Sequence, residues 1–314
     1  MHIKTILVPA DFSPLGTLAI NEAVALARRF TAKLVLLHVI EPSPFSYTFP
    51  ADSEAADRKR IDQAGRMLEA AVPPEDQDDL DLEIIVRTGS VEEEIEAVIH
   101  ETGADLVVMG THGRRLLARL LIGSVTLHLL RKIDVPIVTV SDPVRPPAFR
   151  RILFATDFSD ASNEAFRNVL ELAVTMKSDV IAANVIDKRP KITYETPAVS
   201  ALFDQERRRA VDRAKSGFGK IERSANTVGI RVETVLAEGI PAEAILRIAD
   251  ENEADCIVVG LGKKSLLERA LSGTTAERLV REARIPVISI PIGSGVTAGM
   301  ERTNEIHDVP DTGT

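Results

Sequence analysis

IKTILVPADFS, residues 3–13, returns as RRILFATDFSD at 150–160. Asp11 and Asp157 are 146 positions apart (157 − 11), and Gly110 and Gly260 are 150 apart (260 − 110). The pairs Gly123 and Gly273, Ser124 and Thr274, and Pro136 and Pro286 keep that second spacing. A period this long, held to the end of both halves, means duplicated domains and not a solenoid of short repeats. Each motif can therefore be read twice and compared.

Working outward from the repeat, short β-branched runs alternate with amphipathic stretches. Strands are expected at 3–8, 34–39, 82–86, 106–109 and 137–140, and again at 152–155, 180–185, 231–236, 256–259 and 287–290. Helices are expected near 15–30, 53–71, 91–102 and 124–132 of the first half. Runs that are apolar throughout imply a sheet covered on both faces. Strand–helix alternation implies parallel strands with right-handed crossovers. Each half is then a doubly wound α/β domain on a five-stranded sheet. Ser90, Val91, Glu92 and Glu93 have the form of a capping box at a helix start. Pro241 suits the first turn of the matching helix, where its missing N–H costs nothing.

The expected domains are 1–142 and 149–292, joined by a proline-rich linker and followed by a polar tail, 293–314, without periodicity and expected to be disordered. The stretches 41–50 and 187–197 read as irregular connections. Apolar residues make up 45% of the 314, enough for two cores. No apolar run reaches the roughly 18–20 residues of a membrane span, and the opening HIKTILV reads as a strand and not a signal peptide. The lone Cys256 lies in an apolar run and is expected to be a buried, inert thiol. These features point to a cytoplasmic protein. The net charge of −9, with 4% aromatics and no tryptophan, argues against nucleic acid as a partner.

In an open parallel sheet, ligands bind beyond the carboxyl ends of the strands, where the strand order reverses. Three such ends carry chemistry in the first half: Pro9, Ala10 and Asp11; His38 and Val39; and Met109 and Gly110. Gly110, Gly113, Gly123 and Ser124 have the form G-x2-G-x9-G-[ST]. Glycines let backbone amides close on a phosphate, and a helix starting at Ser124 offers free N–H groups to an anion. Asp11 suits ribose hydroxyls. The same glycines serve equally well as plain turn residues. Arg114 and Arg115 can reach phosphate or simply be solvated. His112 reads as a solvent-facing loop residue, and His38 as a satisfied core residue. Metal-ligand spacing, a Walker lysine motif and a nucleophile–base pair are all missing from the sequence.

ILVPADFS, HVIE, MGTHGRR followed by LLIGSVT, and VPIVTV together resemble the universal stress protein (UspA) superfamily in its tandem two-domain form, over about residues 1–292. The resemblance implies two Rossmann-like α/β domains, each an open five-stranded parallel sheet of order 3-2-1-4-5 with helices on both faces. It implies pairing through the fifth strands, here within one chain as an intrachain pseudo-dimer, and leaves room for a homodimer of two chains. G-x2-G-x9-G-[ST] marks the ATP-binding branch of that family. Carried over, the site falls on Pro9, Ala10, Asp11, Val39, Met109, Gly110, Gly113, Arg114, Gly123, Ser124 and Val125. The ligand implied is ATP or another adenine nucleotide, together with Mg²⁺, for which no dedicated protein ligand stands out.

The second half departs from the pattern. Thr156, Asp157, Val185, Gly260, Gly273 and Thr274 keep their places, but Lys263 replaces the second motif glycine, with Gly262 one residue early. Lys263 either fills the pocket or clamps a phosphate. The need for close backbone approach there favours the first, and hence a weaker second site. Three functions are then in play: an ATP-binding stress regulator, a slow ATPase or phosphotransferase using the same pocket, and a nucleotide-free dimeric scaffold.

Overall fold

The computed structural model describes residues 2–42, 50–77, 79–111, 122–141, 149–187, 197–262 and 275–292. The proposed linker, the tail and most of both irregular connections lie outside the described residues. In the first half the order is β1 (Thr5–Pro9), α1 (Pro14–Phe30), β2 (Lys33–Ile40), α2 (Pro50–Ala71), α3 (Pro74–Gln77), β3 (Leu82–Thr88), α4 (Val91–Thr102), β4 (Leu106–Gly110), α5 (Ser124–Lys132) and β5 (Ile137–Val140). The second half follows with β6 (Arg151–Ala155), α6 (Asp160–Met176), β7 (Asp179–Asp187), α7 (Pro197–Thr227), β8 (Val232–Gly239), α8 (Pro241–Glu251), β9 (Cys256–Leu261), α9 (Thr275–Glu282) and β10 (Val287–Pro291).

All ten strands form one sheet of order β3-β2-β1-β4-β5-β10-β9-β6-β7-β8. Each half has the 3-2-1-4-5 order, every pairing within a half is parallel, and the halves meet where β5 runs antiparallel to β10. The pseudo-dimer is thus a continuous sheet, with Thr139 opposite Val287 and Ile137 opposite Ser289. Side chains tie the seam as well. Thr139 Oγ1 donates to the Val287 carbonyl at 3.2 Å and Ser141 Oγ to that of Ala283 at 2.5 Å. One apolar layer covers each face of the sheet, and both layers run across the seam. This is why the central strands read as unbroken apolar runs.

The first strand begins two residues later than its apolar run suggests. Asp105 explains this: its Oδ2 accepts from the amides of Lys4 at 2.8 Å and Thr5 at 3.1 Å, closing off the strand start with a side chain. Asp255 repeats the device on the amides of Arg150 and Arg151 at 2.8 and 3.1 Å.

The expected capping box at Ser90 does not form. Ser90 sits at the N-cap in extended conformation, but its side chain makes no cap hydrogen bond. Glu92, Glu93 and Glu94 crowd the first turn instead, so carboxylate charge meets the positive helix end directly. Glu94 also folds over Gly89, where an added Cβ would stand 2.6 Å from Oε1. Pro241 does open α8 as expected.

One packing difference separates the halves near the strand-1 ends. Phe12 and Phe158 both follow the repeated aspartate with positive φ, 58° and 61°. Phe12 leans on the His38 ring, with centroids 4.5 Å apart. Phe158 turns toward α7, meets Phe218 edge-on at 5.2 Å, and lies over Gly217. A Cβ on Gly217 would fall 2.3 Å from the Phe158 ring. Gly217→Ala should therefore cost about 1–2 kcal/mol through overpacking, read as a lower urea midpoint at unchanged slope. An unchanged midpoint would mean that the ring swings aside freely.

Candidate functional site

The carboxyl ends of β1, β2 and β4 come together because these strands are neighbours in the sheet. Pro9 ends β1, and the Ala10 amide continues the ladder by donating to the Leu37 carbonyl at 2.7 Å. Asp11 follows, its Oδ1 accepting from the Ser13 amide at 2.9 Å, while Ser13 Oγ caps α1 through the Gly16 amide at 3.0 Å. Val39 lies near the end of β2, beside β1. The start of α5 is drawn to the end of β4 by two bonds. The Gly123 amide donates to the Thr111 carbonyl at 2.9 Å, and Thr126 Oγ1 to the Gly110 carbonyl at 3.1 Å.

Gly123 is the N-cap of α5, and Ser124, its first residue, is exposed. The first-turn amides of a helix have no partner inside it, so this end offers donors at the switch point of the sheet. Met109 and Ala10 have their side chains buried in the core, leaving only backbone to offer. Gly113 and Arg114, with His112 and Arg115, lie outside the described residues.

The second half gathers Thr156, Asp157, Val185 and Gly260 around one cavity of about 600 Å³, closed on one side by Thr275 and Glu277 at the start of α9. This lies within the range of small-molecule sites, roughly 300–1,000 Å³. Gly262 lines it too, and a Cβ there would meet nothing closer than 3.9 Å. Lys263, Gly273 and Thr274 lie outside the described residues.

The two aspartates sit in unlike surroundings. Asp157 Oδ1 accepts the Ser162 hydroxyl at 2.6 Å and the Ser159 amide at 3.0 Å. Burial raises its pKa, but the hydrogen bonds from Ser159 and Ser162 outweigh burial and hold the carboxyl below its usual value. The residue matching Ser162 in the first half is Gly16, where an added Cβ would stand 2.6 Å from Asp11 Oδ1. The serine hydroxyl thus fastens Asp157 in a way that Gly16 cannot fasten Asp11.

Two half-buried site neighbours lie outside the G-x2-G-x9-G-[ST] spacing. His38 does find a hydrogen bond, but its partner is the carbonyl of Ala10, 2.7 Å from Nδ1. A carbonyl only accepts, so Nδ1 carries the proton. Asn184 plays the same part in the second half, donating Nδ2 to the Thr156 carbonyl at 2.7 Å. Both brace the strand-1 end from the strand-2 end. The available signal was their matching position in the repeat, 146 apart (184 − 38), with a polar residue inside an apolar strand. Cys256 is fully buried, and burial first, then Asp255 and Glu22, push its thiol pKa well up, as an inert cysteine requires. Among the described residues no group of three or more His, Cys, Asp or Glu comes together to hold a metal ion, and no helix is long and apolar enough to cross a membrane.

The universal stress protein family model matches residues 2–141 and again 148–291. A universal stress protein of Methanocaldococcus jannaschii is 31% identical over 146 residues, covering 45% of this chain and 82% of that protein. One from Mycolicibacterium smegmatis is 25% identical over 296 residues, covering 91% of this chain and 96% of its own. The crystal structure of a universal stress protein from Archaeoglobus fulgidus shares the fold, with a TM-score of 0.65 at 20% identity over 92% of this chain and 98% of that one. Two matches to one family model, carried on two copies of one sheet topology, leave a single conclusion: the chain belongs to the universal stress protein family, in its tandem two-domain form.

Proposed function

We propose that the chain is a cytoplasmic ATP-binding regulator of the stress response, with the first half as its principal nucleotide site. The observation that carries this reading is the closure of the start of α5 onto the end of β4 through Gly123 and Thr126, beside Asp11. It sets the two ends of the G-x2-G-x9-G-[ST] spacing against each other at the switch point of the sheet. In this reading Asp11 holds ribose hydroxyls, and the backbone at Val39 meets adenine. The amides of Ser124 and Val125, with the Ser124 hydroxyl, take phosphate oxygens. Gly113 and Arg114 would complete the loop by sequence. Mg²⁺ would neutralise the triphosphate as its companion ion. The second half, with Lys263 in its motif and Asp157 already bonded to Ser162, is the weaker site.

Counting nucleotides bound to the purified chain by native mass spectrometry tests the reading, with calorimetry for affinity. Wild-type protein should hold ATP, and Gly123→Val should weaken it at least tenfold, with circular dichroism checking that the variant stays folded at the cost of a poorer N-cap. Wild-type protein that binds no adenine nucleotide by either method would leave a dimeric scaffold as the function.

A further inference from the structure

The second-half cavity is not built from the second half alone. Leu130 and Arg131, in the last turn of α5, line it from across the seam. Glu277, in the first turn of α9, takes both Nε and Nη2 of Arg131 on one oxygen, at 3.0 and 2.9 Å. The guanidinium is therefore held at the cavity wall, next to the helix start that closes it. Among the described lining residues Arg131 is the one cation, against the carboxylates of Asp157, Asp160 and Glu277. The half-buried pair, 35% and 14% exposed, is shielded more than a surface ion pair but still reachable from the cavity.

The first half has no copy of this pair. Arg281 matches Arg131 in the repeat (281 − 131 = 150), but it bonds Glu282 of its own helix at 3.2 Å. Leu127 stands at the position of Glu277 (277 − 127 = 150). The arrangement is thus particular to one cavity.

We infer that the second-half cavity is a composite site for a phosphate-bearing ligand, in which Arg131 of the first half binds the phosphate and Glu277 holds the guanidinium until it arrives. This rests on the nucleotide reading above and extends it to the weaker half. A planar guanidinium matches phosphate oxygens in the same forked geometry it uses for a carboxylate. An arriving phosphate competes with Glu277 for the same N–H groups. Occupancy of the second half then draws on a residue of the first, coupling the site to the seam between β5 and β10.

The experiment uses full-length protein carrying Gly123→Val, so that the weaker site is read alone. ATP and adenosine are titrated by calorimetry into this background, then into the same background with Arg131→Ala or with Glu277→Gln. Arg131→Ala should weaken ATP by about tenfold or more and adenosine by less than about twofold. Arg131→Lys should recover part of the loss. Glu277→Gln should tighten ATP by about threefold, because it removes a competitor and a repelling charge. The two substitutions therefore move ATP in opposite directions if Arg131 is a phosphate ligand. If Arg131 and Glu277 merely clamp the seam, both weaken ATP and adenosine alike, and the inference is overturned. Failure of the two readings is also separable. Wild-type protein with no ATP sinks the nucleotide function itself, whereas ATP on wild-type protein and none on Gly123→Val overturns only the composite site.

Discussion

Replacing Glu22 by glutamine is expected to remove a contribution to stability that falls by about 4 kcal/mol between pH 5 and pH 8. Glu22 lies on α1, is 6% exposed, and its Oε1 has no hydrogen-bond partner among the described residues. Burial, with a smaller push from Asp255 of the second half, drives its pKa from 4.5 up to about 8. Between those values the folded chain keeps a proton that the unfolded chain has released. The contribution of Glu22 is then fully present below pH 4.5, declines as pH rises through the window, and is lost above about 8. Each pH unit in between costs about 1.4 kcal/mol. The duplication supplies its own control: Asn168 occupies the matching position on α6 (168 − 22 = 146) and is uncharged. Urea unfolding of native and Glu22→Gln protein at pH 5, 6, 7 and 8 reads the difference, which cancels the titration of all other groups. Parallel curves would show that Glu22 is already ionised in the fold and that water reaches it.

Glu22 also marks a boundary of what could be read from the chain. Most of the ten strands were legible as short apolar runs, with β1, β4 and β9 buried on both faces, while β3 and β8 carry charges among their apolar residues. The junction of β5 with β10 was different. A strand at a sheet edge and one paired with a second copy share the same apolar pattern, so periodicity cannot tell them apart. The pairing was expected only through the family resemblance. Local chemistry was legible when a single residue decided it, as Pro241 does for α8. It was not when several groups competed, as at Ser90, where three glutamates share the helix end.

The site shows the same division. The strand ends and the start of α5 fall where the motif put them, since turn glycines and sheet order constrain the backbone closely. Side-chain traffic around them was hidden. Ser162 on Asp157, His38 on Ala10 and Arg131 on Glu277 each join residues far apart or outside any motif. The strongest clue to them is the comparison of one half with the other: Gly16 against Ser162, His38 against Asn184, Glu277 against Leu127.

The first motif glycine yields the second large expected effect: Gly260→Ala should cost about 3 kcal/mol and Gly110→Ala about 1–2 kcal/mol, with no nucleotide present. A Cβ on Gly260 would stand 2.8 Å from the Ala161 carbonyl oxygen, 2.9 Å from its carbon and 3.1 Å from the Ser162 nitrogen. All three are backbone atoms in the first turn of α6. That turn cannot yield alone. Ser159 caps it through the Ser162 amide, and Ser162 is bonded in turn to Asp157. Relief therefore requires lifting the start of α6 from the end of β9. On Gly110 the nearest atom is the Leu15 Cβ at 2.9 Å, itself fixed to the backbone, with the backbone carbon at 3.3 Å, so one atom and not two stands inside 3.0 Å and a smaller shift relieves it. Urea midpoints of the two variants without ligand measure the ranking. The result bears on how the motif is interpreted. A glycine demanded by strand–helix contact is retained whether or not nucleotide binds, so its presence in the second half carries no information about ATP there. That information rests with the position of Gly113 and Lys263, where the halves differ. If both variants instead lose less than about 0.5 kcal/mol, packing does not explain either glycine, and ligand contact becomes the reason both are glycine.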